Sequence, residues 1–140
     1  MDQYVLVADD EPGVIKLASK VLERRGYKVL SAARGDEALK LFKVNCSDIV
    51  LAIIDFSMPA LDGAQLIELI HQSKPELKVL LTSGMDYTFF PSDFIANPLI
   101  NFLQKPFRLT HLINEVEELL AFQASSPKKN FNNLVVRSIS

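Results

Sequence analysis

From Ile49 to Ile54 six apolar residues (Ile-Val-Leu-Ala-Ile-Ile) run unbroken into Asp55, and Pro59 stops the chain four residues later. A run of this length, rich in β-branched residues, suits a strand covered on both faces, as in a parallel sheet. It constrains the fold more than any other stretch, because such a strand needs helices above and below it. Asp55 then falls at the strand's C-terminal end, where open α/β sheets place their ligands. A lone aspartate there has a plainer reading, as a residue leaving the core or starting an Asx-turn. The question is whether other polar residues arrive at the same place.

Alternating elements flank the run. Tyr4–Ala8 reads as a buried strand, followed by Asp9-Asp10-Glu11-Pro12-Gly13. Asp10 is the expected N-cap of a helix with Pro12 in its first turn. Val14, Ile15, Ala18, Val21 and Leu22 follow at helical spacing, and Arg24-Arg25-Gly26 suits the C-terminus. Residues 28–31 read as a second strand, and Gly35-Asp36 opens a helix through Ala38, Leu39, Leu41 and Phe42. After the central run, Asp62-Gly63 caps a helix with Leu66, Ile67, Leu69 and Ile70 inward, ending before Pro75. Residues 77–81 predict a fourth strand that leads into Thr82-Ser83-Gly84. Across 87–98, Phe89, Phe90, Phe94 and Ile95 suggest one helical face, kept short by Pro91 and Pro98. Residues 100–103 read as a fifth strand, leading into Gln104-Lys105-Pro106-Phe107. Leu109, Leu112, Ile113, Val116, Leu119 and Leu120 then mark an amphipathic helix, with Glu115, Glu117 and Glu118 on its wet side. Strand and helix alternate five times over short connections, which implies right-handed crossovers and a mainly parallel sheet with helices on both faces.

The chain of 140 residues is long enough for one domain with a sizeable core. Residues 1–124 are expected to form it. From Ser125 the composition turns polar, so residues 125–140 are expected to be a flexible tail, linker or appended remnant. Net charge is −2 without a basic excess, which argues against direct nucleic-acid binding, and Lys128-Lys129 is too short a run to change that. Cys46 is the only cysteine, so neither an intrachain disulfide nor a cysteine metal cage can form. No segment approaches the apolar length of a membrane span, and Met1-Asp2-Gln3 has no signal-peptide character. The expectation is a cytoplasmic protein. His71 and His111 read as solvated helix residues without partner ligands.

With five strands placed, Asp9 and Asp10 follow the first, Asp55 the third, Ser83 the fourth and Lys105 the fifth. In a parallel sheet these ends lie side by side, so residues distant in sequence converge. Each has a dull explanation alone: a cap, a turn former, a solvated charge. Together they put three carboxylates, a hydroxyl and an ammonium in one crevice. Such carboxylates repel one another and call for a compensating cation. Oxygen ligands select a hard ion, Mg²⁺ first, with Mn²⁺ or Ca²⁺ as substitutes. A carboxylate beside such an ion and a lysine is equipped to attack phosphorus and form an aspartyl-phosphate.

These motifs resemble the receiver domain of two-component response regulators: Asp9-Asp10-Glu11-Pro12, Asp55 with Met58-Pro59 and Asp62-Gly63, Ser83-Gly84, and Phe102-Leu103-Gln104-Lys105-Pro106-Phe107. The likeness covers residues 3–122, and the last segment is similar to receivers carried by hybrid sensor histidine kinases. The resemblance implies a flavodoxin-like, doubly wound sheet of five parallel strands in the order 2-1-3-4-5. It implies Asp55 as phosphoacceptor, and Mg²⁺ held by Asp10, Asp55 and the Ser57 backbone carbonyl, with Asp9 contributing partly through water. Ser83 would follow the phosphoryl group and Lys105 would pair with it. Phe102 would turn inward as an aromatic switch, and the bond before Pro106 would be cis. Phosphate would come from a histidine kinase, a phosphotransfer protein or a small donor such as acetyl phosphate. Beyond transferring and losing its own phosphoryl group, the chain would not be an enzyme. No output domain is legible, so the signal is expected to pass by protein contact.

Ser57 and Met85 stand two residues beyond Asp55 and Ser83, at positions that tune dephosphorylation in the family. Pro91 interrupts the usual fourth helix, and Asn97-Pro98 stands where a Gly-Ala turn is common in the family. A haloacid-dehalogenase-like phosphatase would need an aspartate general acid where Ser57 stands. An FMN-binding flavodoxin would need a first loop that welcomes phosphate, which Asp9-Asp10-Glu11 repels. A phosphorylation-independent interaction module on the same scaffold is the remaining alternative.

Overall fold

The computed structural model describes residues 2–122. Strands β1 (Tyr4–Ala8), β2 (Lys28–Ala32), β3 (Ile49–Asp55), β4 (Lys78–Ser83) and β5 (Ile100–Gln104) form one sheet in the order β2-β1-β3-β4-β5. Every neighbouring pair is parallel. Helices α1 (Pro12–Arg24), α2 (Gly35–Asn45), α3 (Gly63–Ser73), α4 (Ser92–Ala96) and α5 (Leu109–Ala121) connect and flank the strands. The segment 125–140 lies outside the described residues.

The period of two along the strands sorts their side chains into two cores. Leu6, Ala8, Ala52, Ile54, Val79, Leu81 and Phe102 face α2, α3 and α4. Val5, Val7, Leu51, Ile53, Leu80 and Leu103 face α1 and α5. β3 sits between β1 and β4 with helices on both sides, which is the physical reason for its unbroken apolar run.

Element ends follow local chemistry. Gly26, at φ 88°, closes α1, with its N–H donating to the Glu23 carbonyl and the Tyr27 N–H to that of Leu22. This is the Schellman pattern, for which glycine has no Cβ penalty. α3 starts with a capping box: the Gln65 N–H donates to Asp62 Oδ1 (2.9 Å) and the Asp62 N–H to Gln65 Oε1 (3.3 Å).

Several expectations need correcting. The N-cap of α1 is Glu11, not Asp10, and its side chain makes no capping bond. Only Phe90 and Phe94 of the Phe89–Phe90–Phe94 face are buried; Phe89 is 68% exposed, because Pro91 splits the segment into a 3₁₀ turn (Tyr87–Phe89) and the short α4. Glu115 is not on the wet side of α5: it is buried, and its Oε1 accepts from Asn101 Nδ2 at 3.1 Å. Asn101 points to the α5 face of β5, so α5 turns a carboxylate toward it. His71 is half-buried, with Nε2 2.9 Å from the Leu77 carbonyl oxygen. Leu69 and Leu109 flank their helices' buried stripes, Leu109 being exposed.

Gly63 packs its Cα against the end of β3, and its N–H donates to the Phe56 carbonyl at 2.9 Å. A Cβ there would collide with the Asp55 carbonyl oxygen and lie 2.7 Å from Phe56 Cα. Both neighbours are backbone, so neither can swing away. Gly63→Ala is therefore expected to cost about 1–3 kcal/mol in urea unfolding and to shift the amide resonances of residues 55–57. Unchanged stability would show that α3 can retreat freely.

Candidate functional site

The C-terminal edge of the sheet is kept in line by backbone bonds that extend the ladder past the strands. The Asp9 N–H donates to the Ala32 carbonyl (3.0 Å), the Phe56 N–H to Thr82 (2.8 Å) and the Lys105 N–H to Ser83 (2.7 Å). Asp55 is in register with Thr82, and Ser83 with Gln104. This register brings Asp9, Asp55, Ser83 and Lys105 together from four strands. Ser83 is the last residue of β4 rather than the start of the loop beyond it.

Asp10, Asp55, Ser57, Ser83 and Lys105 line one cleft of about 760 Å³, which Met85 and Pro106 also border. Lys105 Nζ lies 2.9 Å from Glu11 Oε1, 3.0 Å from Asp9 Oδ2 and 3.4 Å from Asp55 Oδ2. Asp9 and Asp55 are buried, whereas Asp10 is exposed at the mouth. The Ser57 N–H reaches Asp55 Oδ1 at 3.4 Å. Ser83 Oγ accepts from the Met85 N–H at 2.9 Å, an ST-turn that holds the hydroxyl beside the cleft. The Lys105–Pro106 bond is cis.

Phe102 is buried at 4% exposure, with its ring stacked on Phe90 at 4.9 Å and 13°. Phe90 in turn meets Phe56, the residue after Asp55, at 5.0 Å. Phe102 thus lies inward already, where the resemblance implied a ring that turns inward. The physical reason is Phe90, whose face supplies the apolar partner the ring would otherwise seek.

Sequence reasoning missed the side chain of Glu11, quoted only as part of an acidic run. Its spacing looked like a helix start, and nothing local signals a partner 94 residues away.

The site's charges explain its electrostatics. Burial, and then the Asp9 charge, push the Asp55 carboxyl from an ordinary 3.8 up to about 6, against Lys105 and the Ser57 N–H. For Lys105, burial works to lower the pKa, but contacts with Glu11 and Asp9 and the charges of Asp9 and Asp55 outweigh it and hold it above its usual range. Asp9, Asp10 and Asp55 each offer a carboxylate oxygen, all within 4.8 Å of one another. Asp9 Oδ2 is buried and takes no hydrogen bond, although Lys105 Nζ stands at ion-pair distance. An all-oxygen set with an unsatisfied buried lone pair fits a hard divalent cation.

Comparison with known proteins agrees with this geometry. A model of the response regulator receiver domain matches residues 5–117. The sensor kinase CckA of Brucella abortus (strain 2308) is 33% identical over 119 residues, 85% of this chain and 13% of the kinase. The response regulator GtcR of Aneurinibacillus migulanus is 34% identical over 135 residues, 92% of this chain and 53% of that protein. The chain thus spans about half, or less, of the length of these relatives. A crystal structure of the response regulator TrrA from Thermotoga maritima in complex with Mg(2+)-BeF is similar with a TM-score of 0.71 and 28% identity, covering 84% of this chain and 98% of that one.

The raised Asp55 pKa makes its charge a cost to folding. Because the folded value lies above the unfolded one, the carboxyl costs nothing below about pH 4, where it is protonated in both states. The cost grows as pH rises through about 6. Asp55→Asn in chelator is therefore expected to raise the free energy of unfolding in urea at pH 7.5, by at most about 3 kcal/mol, with the gain vanishing toward pH 4. A variant no more stable than wild type at pH 7.5 would remove burial as the dominant influence.

Proposed function

This chain belongs to the response regulator receiver domain family, and from that premise we propose that it accepts a phosphoryl group on Asp55 in a divalent-cation-dependent reaction. The observation that carries the reading is the meeting of Asp9, Asp10 and Asp55 within 4.8 Å at the C-terminal edge of the sheet, beside Lys105. The donor would be a phosphohistidine of a kinase or phosphotransfer protein, or a small acyl phosphate.

In the step itself an Asp55 oxygen forms the new bond to phosphorus. The bond to the donor breaks, and the imidazole or acetate leaves with the electron pair. Burial, which raises the pKa of Asp55, also strips water from the attacking oxygen. Lys105 is within reach to donate to a phosphoryl oxygen, offsetting the charge that the three aspartates oppose. Asp9, Asp10, Asp55 and the Ser57 carbonyl would hold Mg²⁺, or Mn²⁺ in its place, which supplies positive charge to the phosphoryl oxygens when bound.

The readout would begin at Ser83, whose hydroxyl can release the Met85 N–H and donate to a phosphoryl oxygen. Phe102 is packed inward on Phe90, so the change would pass through the segment from Ser83 to Phe90 more than through rotation of the Phe102 ring. Partners would then be selected on the faces next to that segment. Among the described residues no helix is long and apolar enough to cross a membrane.

With Mg²⁺ and acetyl phosphate, intact-mass measurement is expected to show one added phosphoryl group on the wild type. Asp55→Asn, or wild type with chelator, should show none. A modified Asp55→Asn would move the acceptor elsewhere. A wild type left unmodified by acetyl phosphate and by candidate phosphohistidine donors would point to a phosphorylation-independent binding module.

A further inference from the structure

Glu11 stands at the N-cap of α1, yet its side chain makes no capping hydrogen bond. Short side chains such as Ser, Thr, Asp and Asn serve that position best. The Glu11 carboxylate instead spans the cleft, and its Oε1 accepts from Lys105 Nζ at 2.9 Å. Its side chain is 61% exposed and that of Lys105 only 14%. Asp9 and Asp55 draw the ammonium inward, while Glu11 holds it from the solvent side.

A lysine head on four rotatable bonds is costly to order. Here the ordering is done before any phosphoryl group arrives. The ammonium has three N–H donors; Glu11 takes one, and Asp9 Oδ2 and Asp55 Oδ2 stand at ion-pair distances of 3.0 and 3.4 Å. The longest of these contacts, to Asp55, is the one a phosphoryl oxygen on Asp55 would replace.

We infer that Glu11 is a positioning residue for phosphoryl transfer, its Oε1 holding Lys105 Nζ over Asp55 from across the cleft mouth. The inference rests on the reading of Asp55 as acceptor. Glu11 touches neither phosphorus nor the attacking oxygen; it acts through Lys105. An ordered donor contributes to the rate because its entropy is lost in advance rather than in the transition state.

A double-mutant cycle with a second readout tests it. Glu11→Ala is expected to lower the rate constant with acetyl phosphate and Mg²⁺ about threefold to tenfold, the weight of one hydrogen bond. Glu11→Gln keeps the Oε1 acceptor and should recover most of that loss. In a Lys105→Met background Glu11→Ala should bring no further loss. An equal loss in both backgrounds, or none in the wild-type background, overturns the inference. Independently, the Lys105 ammonium resonance in ¹⁵N NMR of chelated protein should be protected from exchange in wild type and Glu11→Gln, and lose protection in Glu11→Ala. Unchanged protection also overturns it. If the wild type takes no phosphoryl group while the ammonium readout behaves as expected, the acceptor reading of Asp55 falls and the Glu11–Lys105 clamp stands.

Discussion

Like charges held together at the edge of a hydrophobic sheet are the constraint that organises this molecule. Asp9 and Asp55 are buried, and Asp10 brings a third carboxylate within 4.8 Å. Water cannot screen them well there, so the pocket depends on positive charge from elsewhere in the chain. Lys105 provides it, reaching Asp9, Glu11 and Asp55 from the end of β5. One ammonium does not balance that many carboxylates, and burial together with the Asp9 charge leaves Asp55 with a raised pKa. A site left in this condition favours cations and gains from any reaction that brings one in. That is the electrostatic basis of the divalent-ion dependence proposed for phosphoryl transfer to Asp55.

The rest of the fold keeps these charges in place. The two cores on either face of the sheet fix the strands, and the ladder continues past the strand ends through the amides of Asp9, Phe56 and Lys105. Gly63 lets α3 close against the carbonyl of Asp55. On the α3 and α4 side, Phe56, Phe90 and Phe102 form a contiguous aromatic row that starts next to Asp55 and ends in the middle of β5. The short α4 and the exposed Phe89 make the segment after Ser83 the least regular part of the described residues.

Much of this was legible in the sequence because the signals were local or periodic. The apolar run of β3, the Gly26 and Asp62 helix ends and the five alternations needed only neighbouring residues. The misreadings share one cause. Glu115 looked solvated because its partner, Asn101, is on another element. His71 looked free because the carbonyl it meets, that of Leu77, lies in the loop beyond its own helix. Asp10 looked like a cap because aspartates often are, yet the cap is Glu11, and Asp10 belongs only to the acidic cluster where the sequence also placed it.

The sequence by itself determined the kind of fold and which polar residues gather at one edge of the sheet. Hydrophobic period sets strands and helices, and a set of acids, a hydroxyl and a lysine at successive strand ends can meet in one way in a parallel sheet. Only the tertiary structure decided how those charges divide. It assigned Lys105 to three carboxylates, gave Glu11 to Lys105 instead of to its own helix, and placed Phe102 inward against Phe90. Such choices depend on distances between residues far apart in sequence, and on which polar atoms are cut off from water. Neither quantity exists until the chain has packed.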